Sequence, residues 1–253
     1  MAALKPVCLS LLLSSLAAPA FATTLVGLGA DNDLHWLDTD AWTRTGGVAV
    51  TGVDARLLGI DVRPADGKLY GLYDDGTLAV IDHMTGAAQK VSTLATTLPA
   101  SVAATVDFNP VADKLRVMGS DGTSLRVTVD TGEVVTDGSH SYASGDTRPG
   151  VIAGAYTNSV AGTDATQLYA IDGAAGWLVL QDPPNDGVLN PVGELGATPA
   201  QAAFDIAADG QGNNRAWLVA AGGIHSVDLE SGAASPVARI EGVDLRDIAV
   251  LPD

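Results

Sequence analysis

Apolar and polar positions along this chain come in short β-type runs, each broken after roughly five to eight residues by a turn dipeptide. One stretch shows the pattern cleanly. Apolar-rich runs at 57–63, 68–73, 77–82 and 87–94 are separated by Pro64-Ala65-Asp66-Gly67, Asp75-Gly76 and Thr85-Gly86. Runs of that length between turn signals predict four antiparallel strands joined by hairpins. Glycine permits the positive φ of a tight hairpin, while Asp and Thr side chains satisfy the amides freed beside it.

The unit recurs. An apolar residue stands four or five positions before an aspartate at Leu34/Asp38, Leu78/Asp82, Leu125/Asp130, Leu178/Asp182 and Ile224/Asp228, and these aspartates lie 44, 48, 52 and 46 residues apart. A period of that size is the mark of propeller blades. The third copy covers 102–138, the fourth 151–195 and the fifth 202–240; the fourth carries the longer turn Asp182-Pro183-Pro184-Asn185-Asp186-Gly187. The first copy begins at Leu25 with the equivalent of a second strand, because the step from Leu25 to Leu34 repeats that from Leu69 to Leu78. Its missing innermost strand returns at the far end as Arg246-Asp247-Ile248-Ala249-Val250-Leu251-Pro252, a copy of 59–64. The expected fold is all-β: a five-bladed β-propeller of four-stranded antiparallel blades over 23–253, its ring closed by the C-terminal strand. Closure leaves no long unpaired sheet edge.

The first 22 residues read as an export signal, with Lys5, an apolar run over 7–16 and the small-residue site Ala20-Phe21-Ala22. The run is too short to span a bilayer. A secreted or periplasmic protein without membrane insertion is expected. Cys8, the sole cysteine, falls inside the signal, so the exported chain has no thiol for a disulfide, a thiolate metal site or a nucleophile. A net charge of −17 repels phosphate backbones, so nucleic acid is not an expected partner. The acidity suits solubility or contact with divalent cations.

A second aspartate column runs through the innermost strands: Asp61, Asp107, Asp205 and Asp247, with Ala155 in the fourth blade, at intervals of 46, 48, 50 and 42 residues. Carboxylates brought near one axis repel unless cations, arginines or amide donors offset their charge. The column has two uses. It can hold a divalent cation such as Ca²⁺, which takes oxygen ligands, or a polar ligand; alternatively each Asp accepts hydrogen bonds from the neighbouring blade and locks the ring. Arg116 and Arg126 sit on strands that are otherwise apolar, where a guanidinium either clamps an anionic ligand or pairs internally, with Asp107 as the expected partner of Arg116. Asn158 is a further candidate ligand contact. The turns at 182–187 and 209–213 offer several oxygens, but neither completes a calcium loop, and no Gly-x-Ser-x-Gly elbow or phosphate-binding glycine loop is present. Acids for glycoside hydrolysis that come from different blades have no local spacing to betray them.

The strings Gly59-Ile60-Asp61 with Pro64 and Leu69-Tyr70-Gly71, Asp107-Phe108-Asn109-Pro110, Asp113-Lys114-Leu115-Arg116-Val117, Leu125-Arg126-Val127, Ala155-Tyr156-Thr157-Asn158, Pro183-Pro184-Asn185-Asp186-Gly187 and Phe204-Asp205-Ile206 carry a resemblance. Over nearly all of the mature length the chain resembles the bacterial domain-of-unknown-function family 4394. The resemblance implies an exported, propeller-like protein and brings no catalytic residues with it. Its Pro-x-Asp-Gly-x-Leu-Tyr pattern is also similar to YVTN-type and quinoprotein-like propellers, which transfers fold and not chemistry. The expected function is a non-catalytic, monomeric binding module for a small polar ligand, a cation or an envelope protein or polymer. The alternatives are a metal-assisted hydrolase or lyase using the central carboxylates, and a structural matrix or adhesion module.

Overall fold

The computed structural model describes residues 24–99, 102–145, 147–240, 242 and 244–252. The expected export signal, with Cys8, lies outside them. Strands are numbered in chain order. The first blade contains β1 (Thr24–Gly29), β2 (Asp33–Asp38), β3 (Thr43–Ala49) and the last strand of the chain, β21 (Leu245–Val250). The second contains β4 (Leu57–Arg63), β5 (Lys68–Tyr73), β6 (Thr77–Ile81) and β7 (Ala88–Thr93). The third contains β8 (Ala104–Asn109), β9 (Lys114–Gly119), β10 (Ser124–Val127) and β11 (Val134–Thr136). The fourth contains β13 (Val151–Tyr156), β14 (Leu168–Asp172), β15 (Trp177–Gln181) and β16 (Val188–Glu194), and the fifth β17 (Ala203–Ala208), β18 (Asn214–Ala220), β19 (Gly223–Val227) and β20 (Ala234–Arg239). Each is an antiparallel meander, and together they form the expected five-bladed propeller.

The ring closes where expected. β21 pairs antiparallel with β1, setting Leu25 opposite Val250 and Val26 opposite Ala249. This gives the first blade the order β21-β1-β2-β3, so the two ends of the described chain share one sheet. Five apolar clusters fill the five interfaces between blades. Leu28, Leu34 and Ile60 pack between blades one and two, Tyr70, Phe108 and Val117 between two and three, and Met118, Tyr156 and Leu189 between three and four. Ile171, Phe204 and Leu218 fill the fourth interface, and Leu25, Trp217 and Ile248 the fifth. Each side chain fully withdrawn from water is worth about 1.5–3 kcal/mol, and the closing interface is built of the same residue types as the others.

Two local features depart from the repeat. Blade four has a fifth strand, β12 (Ser141–Tyr142), parallel to β16. The long turn after β15 makes it: Gly138 N–H donates to the Asn185 carbonyl and Ser141 N–H to that of Gly187, so the connection from blade three is drawn along the sheet edge. The aspartate echo is also off register in blade three. Asp38, Asp82 and Asp228 each accept two amides of their own turn. Gly86 N–H donates to the Asp82 carbonyl and Gly232 N–H to that of Asp228, but Gly132 N–H donates to Thr128. Thr128, and not Asp130, is therefore the equivalent position.

Candidate functional site on the propeller axis

The innermost strands β21, β4, β8, β13 and β17 surround the axis, and cross-strand register sets the level of each residue along it. Asp61 lies opposite Tyr70, Asp107 opposite Arg116, Ala155 opposite Tyr169 and Asp205 opposite Trp217. The hairpin after β1 matches that after β5, pairing Leu28 with Leu34 as Leu72 pairs with Leu78, so Val26 corresponds to Tyr70. Val26 faces Ala249, and Asp247 lies opposite Leu28. The expected column of four therefore resolves into three aspartates at one level and Asp247 two residues along its strand. A two-residue slip keeps a side chain on the same face, which is why Asp247 still points at the axis.

Hydrogen bonds follow one rule. Each inner aspartate reaches the next blade and accepts the amide that follows the equivalent position there. Asp61 Oδ2 accepts from Phe108 N–H at 2.6 Å, Asp107 Oδ1 from Tyr156 N–H at 2.9 Å and Asp205 Oδ2 from Val250 N–H at 2.7 Å. Asp247 obeys the same rule one step along, accepting from Ile60 N–H at 2.9 Å. Gly59 leaves room for it, since a Cβ there would stand 2.7 Å from Asp247 Oδ2. The alanines at the gaps decide the remaining oxygens. Ala249 and Ala155 reach no amide in the next blade, so Asp61 and Asp205 turn their other oxygen back onto Val62 N–H and Ile206 N–H. Asp247 does likewise with Ile248 N–H, the preceding blade having Ala203 at that level. Asp107 alone follows a blade whose aspartate already takes its own next amide. Among the described residues, Asp107 Oδ2 receives no hydrogen bond.

Oxygens of Asp61, Asp107 and Asp205 lie within 4.8 Å of one another, and all three side chains are buried. No salt bridge reaches them among the described residues; Arg246, whose guanidinium donates to the Gly29 and Leu57 carbonyls, acts on Asp247 only through space. Burial, reinforced by the mutual repulsion of the carboxylates, pushes Asp61 and Asp107 well above the usual carboxylate range. Burial also raises Asp247 well above it. Asp205 is pushed up to about 6 by burial, with its two amide donors pulling the other way.

A cavity of about 460 Å³ opens onto the carboxylates from the end of the axis where the inner strands exit. Asp61 and Asp205 form its floor, and its walls come from Val62, Ile206, Val250 and the segments that follow these strands. Ser159, Asp209 and Gln211 supply polar groups on the lining. Sequence reasoning did not single out Ser159, Val160 or Ala161, which bear no motif and reach the cavity only because β13 ends beside β17.

The remaining expected ligand contacts lie elsewhere. Arg116 is fully buried and pairs with Asp137 at 2.5 Å, not with Asp107; it also donates to Ser124 Oγ, the Tyr156 hydroxyl and Asn185 Oδ1. Arg126 grips both oxygens of the same Asp137, at 2.7 and 2.9 Å. Arg116 thus ties blade three to the long turn of blade four through Asn185, Arg126 holds Asp137 in place, and neither lines the axial cavity. Asn158 sits at φ 54° and exchanges two hydrogen bonds with Asn214, bracing the loop that carries Ser159. Asp137 was the unread partner: it follows β11 in sequence, and only the fold brings it over β9.

Residues 33–249 match the model of a family described as domain of unknown function (DUF4394). The chain belongs to this family. No curated protein matches it in sequence. Among solved structures, a protein of unknown function from Bacteroides thetaiotaomicron is similar at 18% identity and TM-score 0.55, over 92% of this chain and 62% of that one. The DUF4394 chain thus spans less than two thirds of that relative, and the likeness is one of fold. A protein of unknown function from Bacteroides caccae (17% identity, 87% and 73% covered, TM-score 0.48) and the calcium-binding protein regucalcin from Agrobacterium tumefaciens (17%, 92% and 75%, TM-score 0.49) are more distant.

Proposed function

We propose that this protein is an exported, non-catalytic propeller that binds a small polar or cationic ligand in its axial cavity. The observation that carries the reading is a solvent-connected cavity floored by Asp61 and Asp205, with Asp107 grouped beside them, where no basic side chain among the described residues forms a salt bridge to the three buried carboxylates. Their hydrogen bonds to neighbouring blades hold the oxygens in place, so the site is organised before anything binds. Ca²⁺ is the inorganic ion that such an oxygen donor set suits, with water completing its coordination. Loops at the cavity mouth are the part of a propeller best placed to vary for recognition, and an envelope protein or polymer is the partner class open to those surfaces.

A thermal-shift screen of small polar and cationic compounds, CaCl₂ included, tests the proposal. A ligand at 100 times its Kd adds about 2.7 kcal/mol to stability, a readily measured rise in Tm. Turnover in a broad hydrolase screen that disappears in Asp61→Asn would contradict the non-catalytic reading.

A further inference from the structure

We infer that the occupant of the axial cavity is an organic ammonium, a primary amine on an apolar body, with its head on Asp61, Asp107 and Asp205. The inference rests on the proposed reading of the cavity as a ligand site and names the ligand's chemistry. Three observations carry it. The first is the wall: Val62, Ile206, Val250, Leu251, Pro64 and Pro252 present mainly apolar surface, and no lysine, arginine or histidine is among the lining residues. An anion would meet the Asp61 and Asp205 carboxylates with no basic side chain to offset them, and Ser159, Asp209 and Gln211 are the polar side chains on the lining beyond that floor.

The second is size. A bare metal ion with its water fills only part of about 460 Å³, since each water takes roughly 30 Å³. Ca²⁺ seeks about 6–8 oxygens and this trio of side chains offers three. An apolar body fills the rest of the volume and removes the wall from water.

The third is the oxygen left over. Asp107 is only 3% exposed, and among the described residues its Oδ2 is the one carboxylate oxygen of the four inner aspartates that accepts no hydrogen bond. An ammonium brings three N–H donors, and at hydrogen-bond distance these reach acceptors roughly 4.7 Å apart. The trio's oxygens lie within 4.8 Å of one another. Burial and mutual repulsion raise the Asp61 and Asp107 carboxyls well above the usual carboxylate range, and a cation seated among them opposes that repulsion.

The test is isothermal titration calorimetry on the mature chain with cyclohexylamine, its neutral isostere cyclohexanol, and CaCl₂. Cyclohexylamine should bind about 10- to 100-fold more tightly than cyclohexanol, the worth of hydrogen bonds to charged groups. Asp107→Asn keeps the bond to Tyr156 and should cost about tenfold or more in amine affinity. Ala208→Trp, which leaves the trio intact and fills the cavity, should abolish amine binding. Equal affinity for amine and alcohol would overturn the inference and leave an apolar cavity. Binding of Ca²⁺ without the amine would also overturn it, while the broader proposal of an axial ligand site would stand. Amine binding that survives both variants would place the ligand elsewhere and refute both readings.

Discussion

Asp61 and Asp107 look alike in sequence, yet their surroundings set them apart. Both oxygens of Asp61 accept backbone amides, from Val62 and Phe108. An asparagine can satisfy only one of them and would turn its NH₂ toward the other. Asp61→Asn should therefore cost about 1–3 kcal/mol in urea denaturation, the worth of one buried amide left unpaired. Asp107→Asn keeps its single bond to Tyr156 and removes a carboxyl whose ionised form burial and its neighbours disfavour, so it should be neutral or stabilising at pH 7. Equal destabilisation by the two would refute the oxygen assignment. The pH dependence follows from the same groups. A carboxyl whose pKa is raised on folding contributes stability that is complete below its unfolded pKa and is lost as pH rises through the folded value. For Asp205 that window runs from 3.8 to about 6, and the other inner aspartates shift in the same direction. His140, pushed down to about 4 mainly by burial, works oppositely in the same range. The difference between wild type and Asp107→Asn cancels His140, and the advantage of the variant should grow as pH rises from 4 to 7.

At the scale of elements, hairpin chemistry was legible because it is local. β4 and β5 begin and end where the turn residues Pro64 to Gly67 predict. Register around the axis was legible only to within two residues, because strand alternation looks the same after a slip of two. Aligning Pro252 with Pro64, in place of aspartate with aspartate, would have set Ala249 beside Asp61. Nothing local announces β12, which exists because the 182–187 turn offers it carbonyls, and nothing local joins Arg116 to Asp137. That pair has a measurable weight. Asp137→Ala leaves Arg116 buried without its counter-ion and should cost about 3–5 kcal/mol, read from the denaturation midpoint. The closing strand carries a similar burden: Ile248→Ala should cost about 2–5 kcal/mol, as large as a comparable truncation in any other interface.

For the whole molecule, five apolar interfaces between blades make a ring whose first and last described strands pair in one sheet. The five-fold plan is what brings residues from distant parts of the chain to one axis. Its breaks at Ala155 and Ala249 leave three aspartates below a cavity, where an unbroken ring would have set five. The candidate site therefore lies where the repeat fails. The most direct measurement is a crystal structure of the mature protein soaked with cyclohexylamine. The account predicts density for one molecule in the axial cavity, its nitrogen within hydrogen-bond distance of Asp61, Asp107 and Asp205. A cavity holding only water, with the amine absent or bound at the rim, would contradict it.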